Sequence, residues 1–228
     1  MKASDSLIAR VRHILKTEGL ISLAGKTLNY LRHRLFLYQN VYLYEHTLKE
    51  RNEADYMPKL QGFTHRVIAS NRQADEVASE GFDDIRNRPV MLDARRCLNK
   101  GAIAFCIFVG TELAHISWAA MSEQAKKTFD ALPYRVVFSQ GQVCTGGTVT
   151  LPEYRGNGFM GYGYYKKLEY LRQRGYTTSR NAVAKDNVAS QKIHAKFGPR
   201  IYAQARYLRI LRWILWRESP YHPEAIKK

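Results

Sequence analysis

A chain of 228 residues with 45% hydrophobic and 12% aromatic residues can bury a substantial core, which excludes wholesale disorder. Its three cysteines, Cys97, Cys106 and Cys144, show neither a paired framework nor metal-ligand spacing, so no metal and a reducing compartment are expected. The net charge of +16, from 36 Lys+Arg against 20 Asp+Glu, exceeds what one anionic ligand requires and attracts nucleic acid, anionic lipid or acidic ligands.

No apolar run is long enough to span a bilayer, and Met1-Lys2-Ala3-Ser4-Asp5-Ser6 lacks a signal-peptide core. A cytoplasmic protein is expected. Leu7, Ile8, Val11, Ile14 and Leu15 follow helical spacing until Gly19. Ile21, Leu23, Leu28, Leu31 and Leu35 form a second such pattern, with Lys26, Arg32 and Arg34 between them. Two basic amphipathic helices are expected. They either lie on the inner face of an anionic membrane or pack on the protein or a second copy of it.

The aromatic run 36–44 reads as a strand or a packing segment, and its alternation, apolar and aromatic rather than basic, disfavours nucleic-acid stacking. Gly62–Ala69 predicts a strand, and Ser70 or Asn71 caps a helix running to about Gly81. Gly101–Val109 predicts a strong strand. Gly110-Thr111-Glu112 turns it, and Leu113–Trp118 returns antiparallel. Val143–Leu151 is the next expected strand, Tyr176–Val183 another, and Ile201–Leu211 closes the series. Between them, Phe159, Tyr162, Tyr165, Leu168 and Leu171 mark a helix that stops at Gly175. The stretch from Asp186 to Gly198 reads as a capped helix. The order of elements is that of an α/β domain with a mixed sheet.

The segment Thr148-Val149-Thr150-Leu151-Pro152-Glu153-Tyr154-Arg155-Gly156-Asn157-Gly158-Phe159-Met160-Gly161 carries the most chemistry. A β-branched run ends in a glycine-rich turn that opens a helix. The first N–H groups of a helix lack intrahelical partners and point outward with the positive end of its dipole. Glycines let an anion approach the backbone. A phosphate or pyrophosphate is the natural ligand of such a turn, although an ordinary strand-to-helix connection uses the same residues.

Arg155, Gly156, Asn157, Gly158, Phe159 and Met160 resemble the coenzyme A signature of the GNAT N-acetyltransferase superfamily, with Met160 standing where glycine or alanine is usual. Asn187, Ser190 and the helix ending at Gly198 resemble the second half of that pattern. The likeness covers roughly 61–210 and is strongest from 143 to 198. It implies a GNAT-like fold, a mixed and mostly antiparallel sheet flanked by helices. On this reading residues 1–60 are a basic helical extension, 61–211 the acyl-CoA-binding domain and 212–228 a tail.

The resemblance implies acetyl or other acyl transfer from acyl-CoA to an amine by direct attack in a ternary complex. Thr148, Val149 and Thr150 would hold the pantetheine arm. Arg155 belongs to the pyrophosphate turn, with the N–H groups of Gly156, Asn157, Gly158, Phe159, Met160 and Gly161. Asn187 and Ser190 would face the arm. His194 stands where many members carry the tyrosine that protonates the leaving thiolate, and an imidazole can donate a proton near neutral pH. His115 is the other catalytic candidate, facing the acceptor. Glu112, Glu123 and Glu153 are carboxylates without a distinguishing position, and water can relay the proton instead. Residues 121–139 are expected to shape the acceptor site. The acceptor is an amine on a small molecule, an amino-sugar intermediate or a protein, and a homodimer is one arrangement of the chain. A non-catalytic binding protein and a basic nucleic-acid-binding protein are the alternatives, the second disfavoured.

Overall fold

The computed structural model describes residues 36–87 and 92–222, so the two helices expected before residue 36 lie outside the described residues. Alternation and β-branching give strands where the sequence places them, and one more follows residue 211. β1 (Phe36–Thr47), β2 (Phe63–Ile68), β3 (Ile103–Val109), β4 (Glu112–Ala120), β5 (Gln142–Thr150), β6 (Thr178–Ala184), β7 (Arg200–Ile210) and β8 (Trp213–Pro220) are the eight strands. Among the described residues five α-helices accompany them: α1 (Asn71–Ser79), α2 (Ala94–Asn99), α3 (Glu123–Phe129), α4 (Phe159–Gln173) and α5 (Val188–Ala195). The expected α/β class, with a mixed and mostly antiparallel sheet flanked by helices, is the observed one.

The chain divides into two units. In the larger, which among the described residues contains 41–87, 92–204 and 219–222, the strand order is β2-β3-β4-β5-β6-β1-β7. β2 through β5 are successively antiparallel, β5 and β6 are parallel, and β6 pairs antiparallel with β1. The smaller unit contains residues 36–40 and 205–218 among those described. In it the ends of β1 and β7 continue, and β8 follows β7. Tyr207 is buried there, edge-on to Trp216, whereas Trp213, Ile214 and Leu215 are exposed.

Two boundaries drawn from the sequence are corrected. Residues 41–60 are not part of a separate extension. Val41 and Leu43 are buried in β1, which runs the length of β6 from Val41↔Ala184 to Thr47↔Thr178. Tyr56 stacks on Tyr165 and Phe197, and Glu53 accepts a 2.7 Å hydrogen bond from the Tyr162 hydroxyl. Nor do residues 212–228 begin as a tail, because Trp213–Pro220 is β8. The β-forming run of aromatic and branched residues at 36–47 decides the first case, and the aliphatic and aromatic residues 213–216 decide the second.

α4 carries the core. It packs across β3, β4 and β5 and buries Phe159, Tyr162, Tyr165, Leu168 and Leu171 with Phe105 and Ile107 of β3. Burial of each such side chain is worth about 1.5–3 kcal/mol. Helix and sheet meet closely at Gly163. A Cβ there would lie 2.7 Å from Nε2 of His115, so glycine sets the helix-to-sheet distance. α3 packs on β4, β5 and α2. It belongs to the segment 121–139 expected to border the acceptor. This segment is pinned to β5 by the Tyr134 hydroxyl, which bonds Asp130 Oδ2 at 2.5 Å and lies 3.2 Å from Cys144 Sγ.

Candidate active site

The parallel β5–β6 pair is short. Gln142, Val143 and Cys144 pair with Thr178, Ser179 and Arg180, and there the pairing stops. A bond between the hydroxyls of Thr145 and Ser179, 2.8 Å apart, marks the fork. Beyond it β5 follows β4 and β6 follows β1, so the strands diverge. The β4–β5 ladder passes from Ile116↔Val149 to Trp118↔Gly146, a β-bulge with Gly147 and Thr148 facing one residue, Ser117. Gly147 adopts φ +56°, and a Cβ there would come within 2.9 Å of Trp118 and 3.2 Å of Phe129. No side chain fits that position without displacing its neighbours.

The divergence opens a cavity of about 170 Å³. Its walls are Thr145–Thr148 of β5 and Asn181–Ala184 of β6. α4 contributes Met160, Tyr164 and Lys167, and α5 contributes Asn187, Ser190 and His194. Thr148, Met160, Asn187, Ser190 and His194, singled out from the sequence, thus converge on one space. Val149 and Thr150 do not line it. Val149 pairs with Ile116, and Thr150 turns its hydroxyl to Nδ1 of His115 at 2.8 Å.

At one end stands the glycine turn. Gly156 and Gly158 have φ +82° and +90°, values that glycine adopts without strain. α1, α2, α3 and α5 each have a side-chain oxygen capping the first turn, from Ser70, Asp93, Ser122 and Asn187. α4 begins at Gly158 with no side-chain cap. Its first intrahelical bond runs from Tyr162 N to Gly158 O, so the N–H groups of Phe159, Met160 and Gly161 precede the ladder. The Phe159 side chain itself points into the core, against Phe63. Arg155 is exposed beside the turn and donates from Nε to the Thr150 carbonyl. Asn157 donates to the Tyr154 carbonyl, and its own carbonyl accepts from Lys59 N, tying the turn to residues 57–59.

Asn187 lines the cavity and also caps α5. Its Oδ1 caps α5 by accepting from Ser190 N at 3.0 Å, which leaves Nδ2 as the group to meet a ligand. His194 is changed in role. It is buried, 3.3 Å from the Asn181 amide nitrogen through Nε2 and 3.2 Å from Nε2 of His46 through Nδ1. It stacks on Tyr44 and meets Tyr164 edge-on. With the Asn181 amide donating to Nε2, Nδ1 carries the hydrogen and donates a hydrogen bond to Nε2 of His46. Burial, then the Lys167 charge, pushes its pKa down to about 3. The imidazole is therefore neutral at pH 7, and the expectation that it donates a proton there is corrected.

His115 is fully buried between β4 and α4, bonded to Thr150 and pressed on Gly163, and its pKa is pushed down to about 3 by burial. It does not line the cavity, contrary to its expected place facing an acceptor. Glu112 accepts from the Tyr154 hydroxyl at 2.6 Å, Glu123 pairs with Lys127 and Glu153 is exposed. Among the described residues, no carboxylate lines the cavity. The three cysteines are free and buried, and Cys144 is a core thiol whose pKa burial raises to about 12.

Tyr164, Lys167 and Asn181 are site residues that the sequence pattern did not single out. Met160, Tyr164 and Lys167 are spaced i, i+4, i+7 and so share one helix face. A lysine within the apolar stripe of α4 was the available signal. Its Nζ is buried with no hydrogen-bond partner among the described residues, 5.0 Å from the centre of the Tyr164 ring. Burial lowers its pKa to about 7.

No helix among the described residues is long and apolar enough to cross a membrane. No family model and no curated protein matches the chain. Solved structures do. A GCN5-related N-acetyltransferase from Sphaerobacter thermophilus is 10% identical with a TM-score of 0.47, over 87% of this chain and 57% of that one. A GNAT-family acetyltransferase from Colwellia psychrerythraea is 14% identical with a TM-score of 0.46, over 84% and 61%. A GCN5-related N-acetyltransferase-like protein from Streptococcus suis is 12% identical with a TM-score of 0.46, over 85% and 67%. A functionally unknown protein from Staphylococcus epidermidis is similar at the same level. The chain thus spans between a little over half and two thirds of the length of these structures, and several of them are named as GNAT-family N-acetyltransferases.

Proposed function

We propose that this protein is an acyltransferase that moves an acyl group from acyl-CoA to an amine. The observation that carries the reading is the cavity between diverging β5 and β6, with the uncapped, glycine-led N-terminus of α4 beside it. A pyrophosphate suits the three outward N–H groups and the positive end of the helix dipole. A pantetheine arm, with its amides, suits a slot between two strands whose backbone groups face each other unpaired.

In the reaction the amine nitrogen attacks the thioester carbonyl. The new C–N bond forms, the C–S bond breaks, the nitrogen loses a proton and coenzyme A leaves as a thiolate that is protonated. Holding donor and acceptor together supplies much of the rate. Among the described residues no carboxylate lines the cavity, and His194 is neutral, so proton transfer through water fits the geometry better than a dedicated acid. The acceptor is an amine of a small molecule, an amino sugar or a protein.

Calorimetric titration with coenzyme A and acetyl-CoA tests this. Wild type should bind at micromolar concentration. Met160→Glu places a carboxylate in the first turn of α4, where it favours the helix but repels a pyrophosphate, and should weaken binding about 100-fold or more. Absence of wild-type binding, or equal binding by the variant, would refute the site.

A further inference from the structure

Lys167 is a buried amine in search of a partner. Its side chain is fully buried, its Nζ has no hydrogen-bond acceptor among the described residues, and it lines the cavity. Among the described residues, ionisable groups that interact with it are His46 of β1, His115 of β4, Cys144 of β5 and His194 of α5, with Tyr164 on its own helix. None supplies an anion at pH 7. The imidazoles are held neutral, and burial keeps the thiol and phenol protonated. An ammonium in such surroundings is costly to bury unless a negative charge arrives to pair with it.

The position of the amine says where that charge comes from. Met160 lies in the first turn of α4, near the pyrophosphate turn, and Lys167 two turns deeper on the same face, about 10 Å along the helix. Cys144, whose thiol feels the Lys167 charge, is the last β5 residue paired with β6. Lys167 therefore sits toward the closed end of the fork, beyond the part that a cofactor arm entering from the turn meets first.

We propose that the closed end of the cavity is a carboxylate subsite, in which Lys167 Nζ pairs with the free acid group of an acyl chain derived from a short dicarboxylic acid. The inference rests on the acyl-CoA reading and names the donor class for the same site. Pairing also draws a proton. At pH 8 an amine with a pKa near 7 is only about one tenth ionised, and a carboxylate partner raises that fraction toward one.

Titration of the whole protein at pH 8 with free coenzyme A, acetyl-CoA, malonyl-CoA and succinyl-CoA, in two buffers of different ionisation enthalpy, tests the proposal. Malonyl-CoA or succinyl-CoA should bind wild type about tenfold or more tightly than acetyl-CoA, with uptake of nearly one proton that acetyl-CoA does not cause. Lys167→Met should bring the carboxyacyl affinity down to that of acetyl-CoA and abolish the uptake. Equal wild-type affinity for all three thioesters, or a preference that survives Lys167→Met, would overturn the subsite while leaving the cofactor reading intact. Failure of wild type to bind even free coenzyme A would overturn both. The wild-type preference and proton uptake do not depend on the variant's folding.

Discussion

Acidification from pH 7 to pH 5 is expected to unfold this protein cooperatively. His46, His115 and His194 are buried, and burial lowers their pKa values from 6.5 to about 2, 3 and 3. In each case the folded value lies below the unfolded one. As pH falls below 6.5 the unfolded chain takes up protons that the folded protein refuses, so stability falls until about pH 3. Each imidazole costs roughly 2 kcal/mol at pH 5, and the three together cost roughly 6 kcal/mol. That is comparable with the whole stability of an ordinary domain. Because His46 and His194 are neighbours, at 3.2 Å, protonation of one further opposes that of the other. Tryptophan fluorescence and far-ultraviolet circular dichroism should show a transition centred near pH 5. Native spectra retained at pH 4 would contradict the buried, neutral triad.

Replacing the unpaired amine should stabilise the protein. Lys167→Met keeps the length and apolar stem of the side chain and removes a group whose pKa burial lowers from 10.5 to about 7. The folded value again lies below the unfolded one. The unfolded chain binds the extra proton between about pH 7 and 10.5, so wild-type stability rises with pH across that window. At pH 7 the variant should be more stable by roughly 2–4 kcal/mol, raising Tm by about 5–10 °C. The gain should shrink as pH approaches 10.5. Parallel Tm profiles for the two proteins between pH 7 and 10 would mean that Lys167 is not held in an unfavourable site. A buried group that weakens the fold and lines a cavity is the pattern expected where stability has been traded for a binding function.

Local signals made much of this fold legible. The strand runs up to residue 211, the Gly110 turn, the capping residue Ser70, the capped helix before Gly198 and the glycine turn are short-range features, and the structure keeps them. What the sequence concealed is non-local. That Tyr42–Tyr44 enter a strand within the sheet depends on β6, which lies more than 130 residues away. That His194 spends its nitrogens on Asn181 and His46 depends on the same pairing, and no spacing along α5 reveals it. His115 alternated with residues of ambiguous face, and the narrow fit against Gly163 decided its burial. β8 is hard to read from the sequence because its Arg217 and Glu218 interrupt an otherwise apolar run. Lys167 was visible as a charge in an apolar stripe, yet only the fork between β5 and β6 gives that charge a purpose.

The most direct test is a crystal structure of the protein grown with coenzyme A. The pyrophosphate should lie against the N–H groups of Phe159, Met160 and Gly161, and the pantetheine arm between Thr145–Thr148 and Asn181–Ala184. Coenzyme A bound elsewhere on the surface, with β5 and β6 unoccupied between their diverging halves, would contradict the proposed site.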